Sequence, residues 1–136
     1  MSADLPYGAT GDDSPFWAGA AERRLVLQRC DDCAYVRWPA AGVCPECLSR
    51  QVTWAEVEGR GTIWSHVVYH RAYAASLREQ VPYRVALVEL VCGARILGRV
   101  PDVTTPLAVG DEVVVDYAEV GEHGLVPVVV PVPRSA

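Results

Sequence analysis

The chain has 136 residues, enough for one modest domain or two very small ones. Its formal net charge is −5 and every basic residue is arginine, which argues against the basic face a general nucleic-acid binder needs to displace counterions. An apolar fraction of 51%, with many valines, predicts a β protein with some apolar surface left for a partner.

Residues 1–13 are polar and carry Pro6, Gly8 and Gly11, the pattern of a leader that orders on a partner. No basic region runs into an apolar stretch there, so no export signal is expected. The longest apolar run, Leu125 to Val132, is short and broken by Pro127 and Pro131, so no membrane-spanning segment is expected either. The expected location is the cytoplasm. A helix is predicted from Ser14, with Ser14 as its cap and Pro15 in its first turn. Phe16, Trp17, Ala20 and Leu25 form its apolar stripe. Phe16 and Trp17 read either as packing against the next module or as a partner-facing anchor. Residues 1–24 therefore form a leader and an N-terminal helix.

Leu25 to Arg29 is a predicted strand running into Cys30-Asp-Asp-Cys33. Tyr35 to Trp38 leads away and stops at Pro39. Cys44-Pro-Glu-Cys47 follows, and Gln51 to Val57 is a third strand. Two residues between cysteines let both sulfurs of a pair enter one tight turn. Two such turns supply four thiolates at the corners of a tetrahedron, the arrangement of a structural zinc ion. In a compartment that keeps thiols reduced, Cys30, Cys33, Cys44 and Cys47 read as metal ligands rather than disulfides. An iron electron carrier would use the same four ligands. Zinc is the default because a closed thiolate site without a second cofactor serves structure. Residues 25–57 are thus a zinc ribbon, too small to fold without its metal.

Gly59-Arg-Gly61 reads as punctuation opening a second module over residues 58–136. Five strand-like runs follow: Thr62 to His70, Tyr83 to Val91, Ala94 to Val100, Asp111 to Ala118 and Leu125 to Val132. The turn at Cys92-Gly93 makes the second and third a hairpin. The prolines of the last suit an edge strand. Residues 72–80 read as a loop or one helical turn. A mostly β fold results: a short helix, a zinc ribbon and a five-stranded OB-type barrel.

Pro15-Phe-Trp17, Leu27-Gln-Arg-Cys30-x-x-Cys33, Cys44-Pro-x-Cys47, Gly59-Arg-Gly-Thr-Ile63, Val81-Pro-Tyr-x-Val85-Ala-Leu-Val-Glu89 and Val109-Gly110 occur in that order. Together, from Ser14 to about Val132, they resemble the OB-fold family with an N-terminal rubredoxin-like zinc ribbon. That family accompanies thiolases, thiolase-like aldolases or acyltransferases, and acyl-CoA hydratases. The resemblance implies a non-catalytic, zinc-binding accessory subunit that stabilises such a partner and borders the path of the CoA substrate. The partner's reaction would be retro-aldol cleavage of an acyl-CoA side chain, a steroid's included, or thiolysis or acyl transfer. One departure concerns the knuckles, where glycine often follows the second cysteine; Ala34 and Leu48 stand there instead.

The best cluster for chemistry of the chain's own is Trp64, His66, Tyr69, His70 and Tyr73. A strand period of two places Trp64, His66 and His70 on one face. These residues read as barrel or interface lining rather than as an active site. No Ser-His-Asp set, glycine-rich phosphate loop or HExxH motif is present, so no activity is expected from the chain alone. Arg71 and Arg78, flanking the loop with Tyr73 and Tyr83, form with His66 and His70 the best groove for CoA phosphates. Cys92 reads as a buried thiol. The rival reading is a single-stranded nucleic-acid module using Tyr69, Tyr73 and Tyr83, against which the acidic charge stands.

Overall fold

The computed structural model describes residues 13–72, 75, 78, 81–101, 104–119 and 124–133. The leader expected over residues 1–13 lies outside them apart from Asp13, and so do Tyr73 and most of the 72–80 loop.

One short helix precedes the strands. Helix α1 spans Ser14–Ala21, with Asp13 rather than Ser14 at the N-cap position. Ser14 already lies in the first turn beside Pro15, where a missing N–H costs nothing because those donors have no intrahelical partner. Phe16 and Ala20 are buried, and Trp17 packs edge-on against Phe16 with ring centroids 4.8 Å apart.

Strands β1 (Val26–Cys30), β2 (Val36–Arg37) and β3 (Val52–Glu56) make an antiparallel sheet in the order β2-β1-β3. Its register pairs Cys30 with Val52, which sets the first knuckle at the end of the central strand.

Strands β4 (Arg60–Tyr69), β5 (Tyr83–Leu90), β6 (Arg95–Val100), β7 (Glu112–Glu119) and β8 (Leu125–Pro131) close a barrel in the order β4-β5-β6-β8-β7. The β5–β6 hairpin is present as expected. Two other expectations change. Gly59-Arg-Gly61 does not lie wholly ahead of the barrel: β4 starts at Arg60, and Gly61 is buried within it against β5. Strand β8 is not an edge, because β7 pairs along its length and β6 meets it in parallel at Arg99 and Val128. That parallel seam is short, which is how a strand with two prolines can still close a barrel.

The barrel interior comes from alternation. Ala86, Val88 and Leu90 of β5 point inward with Ile63, Ile96, Val100, Val113 and Val129. Each large aliphatic side chain buried so completely contributes about 1.5–3 kcal/mol. Phe16, Leu25 and Leu27 belong to the same apolar cluster, so helix and ribbon share the barrel's core. Arg23 ties the junction by donating from Nη1 to the carbonyl oxygen of Tyr117 at 3.0 Å. Among the described residues no helix is long and apolar enough to cross a membrane.

Candidate metal centre

The two CxxC turns are built alike. In the first, the Cys30 N–H donates to the Tyr35 carbonyl oxygen at 2.8 Å, and the Ala34 N–H donates to the Cys30 carbonyl oxygen at 2.9 Å. In the second, Cys44 donates to Ser49 at 2.8 Å and Leu48 donates to Cys44 at 2.9 Å. Both turns need a left-handed residue directly after the second cysteine. Ala34 takes φ 67° and Leu48 φ 68°. The knuckle geometry therefore survives without glycine, at the steric cost of a Cβ in that region.

The same repeat aims backbone N–H groups at sulfur. Those of Asp32 and Cys33 point at Cys30, those of Glu46 and Cys47 at Cys44, that of Tyr35 at Cys33 and that of Ser49 at Cys47. All four Sγ atoms lie within 4.8 Å of one another. Cys30 and Cys47 approach to 3.5 Å, and Cys33 and Cys44 to 3.7 Å. Cys30 and Cys44 are buried while Cys33 and Cys47 face outward.

The electrostatics follow from this crowding. The Cys33 N–H, helped by that of Asp32, holds the Cys30 thiol down to about 6 against the opposing effect of burial. At Cys47 the Ser49 N–H pulls downward, but burial and the three neighbouring thiols push it up to about 12. The first thiolate forms readily and the last is opposed by its neighbours. A dication at the centre removes that opposition, and an all-sulfur tetrahedral set is what zinc prefers.

Side chains around the knuckles hold them to the sheet. Thr53 donates to Asp31 Oδ1 at 2.6 Å, and Ser49 donates to Asp32. Buried Gln28 accepts at Oε1 from Arg37 Nε at 2.7 Å and from the Ala41 N–H at 2.9 Å, anchoring the loop between the knuckles. Sequence reasoning missed Gln28 and Arg37. Their only signal was polarity within apolar strand positions.

The second set of predicted residues is not assembled as expected. The register between β4 and β5 shifts between Ile63 and Ser65, a bulge at Trp64. Before it Gly61 and Ile63 point inward; after it His66 pairs with buried Ala86. Trp64 and His66 therefore lie on opposite faces, contrary to a strict period of two. Trp64 is exposed, with the Arg95 guanidinium 3.7 Å above its ring. His66 is half-buried and its Nδ1 is buried without a partner among the described residues. His70 and Arg71 are exposed just past β4, and Arg78 is exposed in the following loop. Tyr83 is buried at the start of β5, stacked on Tyr69 at 5.0 Å and under Arg99 at 4.8 Å. Cys92 is exposed in its turn, not buried. A concavity of about 980 Å³ between residues 105–112 and the end of β8 contains none of the predicted site residues.

Residues 17–53 match the family described as ChsH2, rubredoxin-like zinc ribbon domain, and residues 54–118 match ChsH2, C-terminal OB-fold domain. The chain belongs to the ChsH2-type DUF35 family. Its ribbon is a structural zinc site. Among solved structures of the DUF35 family, one titled Ltp2-ChsH2(DUF35) aldolase superimposes with TM-score 0.79 and 32% identity, over 92% of this chain and 98% of that one. A probable enoyl-CoA hydratase alpha subunit of Thermomonospora curvata is 37% identical over 128 residues, 90% of this chain. A DUF35 domain-containing scaffold protein of Methanocaldococcus jannaschii is 35% identical over 89 residues, 63% of this chain. The chain spans 39% and 62% of the lengths of these two curated relatives.

Proposed function

We propose that the chain is a non-catalytic, zinc-stapled subunit of a thiolase-like, CoA-dependent carbon–carbon bond enzyme, stabilising its partner and bordering the acyl-CoA path. The observation that carries this reading is the likeness to the Ltp2-ChsH2(DUF35) aldolase chain over 98% of that chain's length. The side-chain chemistry supports it. The four clustered cysteines are committed to metal, and the Trp64 bulge separates the residues that would have formed a histidine-aromatic cluster. Phe16 is used by the core, which leaves Trp17, half-buried and packed on that core, as the member of the aromatic pair with surface for a partner. His70, Arg71 and Arg78, all exposed, are the groups proposed to border CoA, because guanidinium forks fit phosphate oxygens.

The reaction proposed for the complex is retro-aldol cleavage of a 3-hydroxyacyl-CoA, giving a carbonyl compound and a shortened acyl-CoA. A steroid side chain is one acyl group of this class. The test is co-expression with thiolase-like subunits of the source genome, followed by assay of the pair and of each part. The pair is expected to cleave and the isolated chain to be inert. Robust turnover by the isolated chain, lost in His66→Ala or His70→Ala, would overturn the reading. The likeness to the probable enoyl-CoA hydratase alpha subunit of Thermomonospora curvata favours a second reading, in which the partner is an acyl-CoA hydratase. Products separate the two, since hydration of an enoyl-CoA leaves the carbon chain intact.

A further inference from the structure

Residues directly opposite each other in an antiparallel sheet point to the same side. Beyond the bulge, one outward row of the barrel runs Ser65–Leu87–Leu97 and the next runs Val67–Val85–Arg99. Trp64 lies beside them on the same outer surface, next to Arg95. Trp64 is 46% exposed, Val67 50% and Leu97 47%. A barrel sheet whose outer side meets only water carries polar residues there. This one also carries apolar side chains outside, with Trp64, Val67, Val85, Leu87 and Leu97 between the Glu89–Arg95 pair and Arg99. Three strands ~4.8 Å apart and four rows spaced by about 7 Å span about 400 Å². Large apolar side chains gathered on one exposed face, rather than scattered singly, mark interaction sites.

Three kinds of occupant make different demands. Single-stranded nucleic acid stacks its bases on open aromatic faces. Here Arg95 covers the Trp64 ring, and Tyr83 lies between Tyr69 and Arg99 and is only 9% exposed. A second copy would pair this face with itself, bringing the same Arg95 and Arg99 to both sides of a two-fold axis. Juxtaposed like charges oppose such pairing. An unlike protein surface, apolar at its centre and carboxylate-bearing at its margin, fits both the leucine–valine rows and the guanidiniums. In a chain of net charge −5, the described residues of this face include two arginines, Arg95 beside Glu89 and Arg99 over the Tyr83 ring. We infer that the outer face of β4, β5 and β6 docks the acyl-CoA enzyme subunit through Trp64, Val67, Leu87 and Leu97, with Arg95 and Arg99 meeting acidic groups at its margin. The inference rests on the subunit reading above and names the surface that serves it. Stable interfaces need about 800 Å² per partner, so this face is the centre of the contact and not all of it.

The test uses the full-length, zinc-loaded chain, tagged and co-expressed with thiolase-like subunits of the source genome. Leu97→Glu and Val67→Glu place a carboxylate at the centre of the face. Because both side chains point outward, zinc content and melting temperature should match the wild type. Affinity for the partner should fall at least about thirtyfold, the loss typical of a central anchor. Val109→Glu, 68% exposed in the turn before β7, should bind normally. Equal binding by wild type, Leu97→Glu and Val67→Glu overturns this face and leaves the subunit reading standing. A wild-type chain that captures no thiolase-like subunit overturns both. Binding of a single-stranded oligonucleotide that Leu97→Glu abolishes reassigns the face to nucleic acid, and self-association abolished by the same change reassigns it to a second copy.

Discussion

The Tyr117 hydroxyl donates to the carbonyl oxygen of Arg24 at 3.1 Å. Tyr117 is on β7 of the barrel and Arg24 joins α1 to β1, so the bond crosses the junction in the opposite sense to the Arg23–Tyr117 contact. Burial, and secondarily the charge of Asp116, push the Tyr117 hydroxyl well above the usual tyrosine range. A group with a folded value above its unfolded one favours folding below the unfolded value, near ~10 for tyrosine, and loses that contribution as pH rises beyond it. Tyr117→Phe is expected to cost about 1 kcal/mol at neutral pH. It should also lessen the fall in stability above pH ~10. Urea unfolding of both proteins at neutral and alkaline pH measures this, and coincident curves would remove the brace.

Zinc removal should be felt beyond the ribbon. Cys44 is fully buried and its sulfur lies 3.7 Å from that of Cys33. Metal binding and ribbon folding are one equilibrium, with apparent binding energies of about 10–16 kcal/mol for small zinc modules. Cys44→Ser is expected to lose zinc by elemental analysis. Since Leu25 and Leu27 share the barrel's core, the whole chain should melt earlier as well. A colourless protein containing zinc excludes the iron carrier, whereas red protein would revive it. A melting curve indifferent to both chelator and Cys44→Ser would end the structural role of the metal.

Leu48 offers a prediction opposite in sign to the usual cost of adding glycine. It is 76% exposed and held at φ 68°, where a Cβ is strained by about 1–2 kcal/mol. Glycine removes that strain but gains freedom in the unfolded chain, an opposing effect of about 0.4–1 kcal/mol. Leu48→Gly should therefore stabilise the zinc-bound protein by up to about 1.6 kcal/mol. Thermal unfolding at constant zinc content reads it. A lower midpoint would mean that Leu48 makes contacts worth more than its strain.

The ligands were readable from sequence because CxxC spacing is a local rule, and the Val-rich runs announced the barrel strands for the same reason. The Trp64 bulge was not readable. A single extra residue leaves the β-forming composition unchanged yet reverses which side every later residue faces, parting Trp64 from His66. The Gln28–Arg37 contact and the pairing of β8 with β6 depend on partners distant in sequence. Ala34 and Leu48 kept the left-handed turn through two backbone hydrogen bonds per knuckle, which composition does not reveal. Gly61 carried a signal that was read for the wrong reason: it permits close approach rather than a turn.

That close approach is the basis of the last prediction. A Cβ built on Gly61 would sit on the Glu89 carbonyl oxygen and 2.8 Å from Val88 Cγ1. Both neighbours are on β5, paired with Gly61 through Leu90. The backbone oxygen cannot turn aside as a flexible side chain would, so β4 and β5 must separate or slip. Overpacking of this kind costs about 1–3 kcal/mol. Gly61→Ala is expected to fall at the upper end, since the register it disturbs also aligns the Ser65–Leu87–Leu97 row. Gly42→Ala is the matched control, because a Cβ there meets nothing within 4 Å. It should leave stability unchanged or raise it slightly through the unfolded chain. Denaturant unfolding of the two variants at equal zinc content decides the matter. A Gly61→Ala protein as stable as Gly42→Ala would show that the β4–β5 contact is looser than this geometry requires.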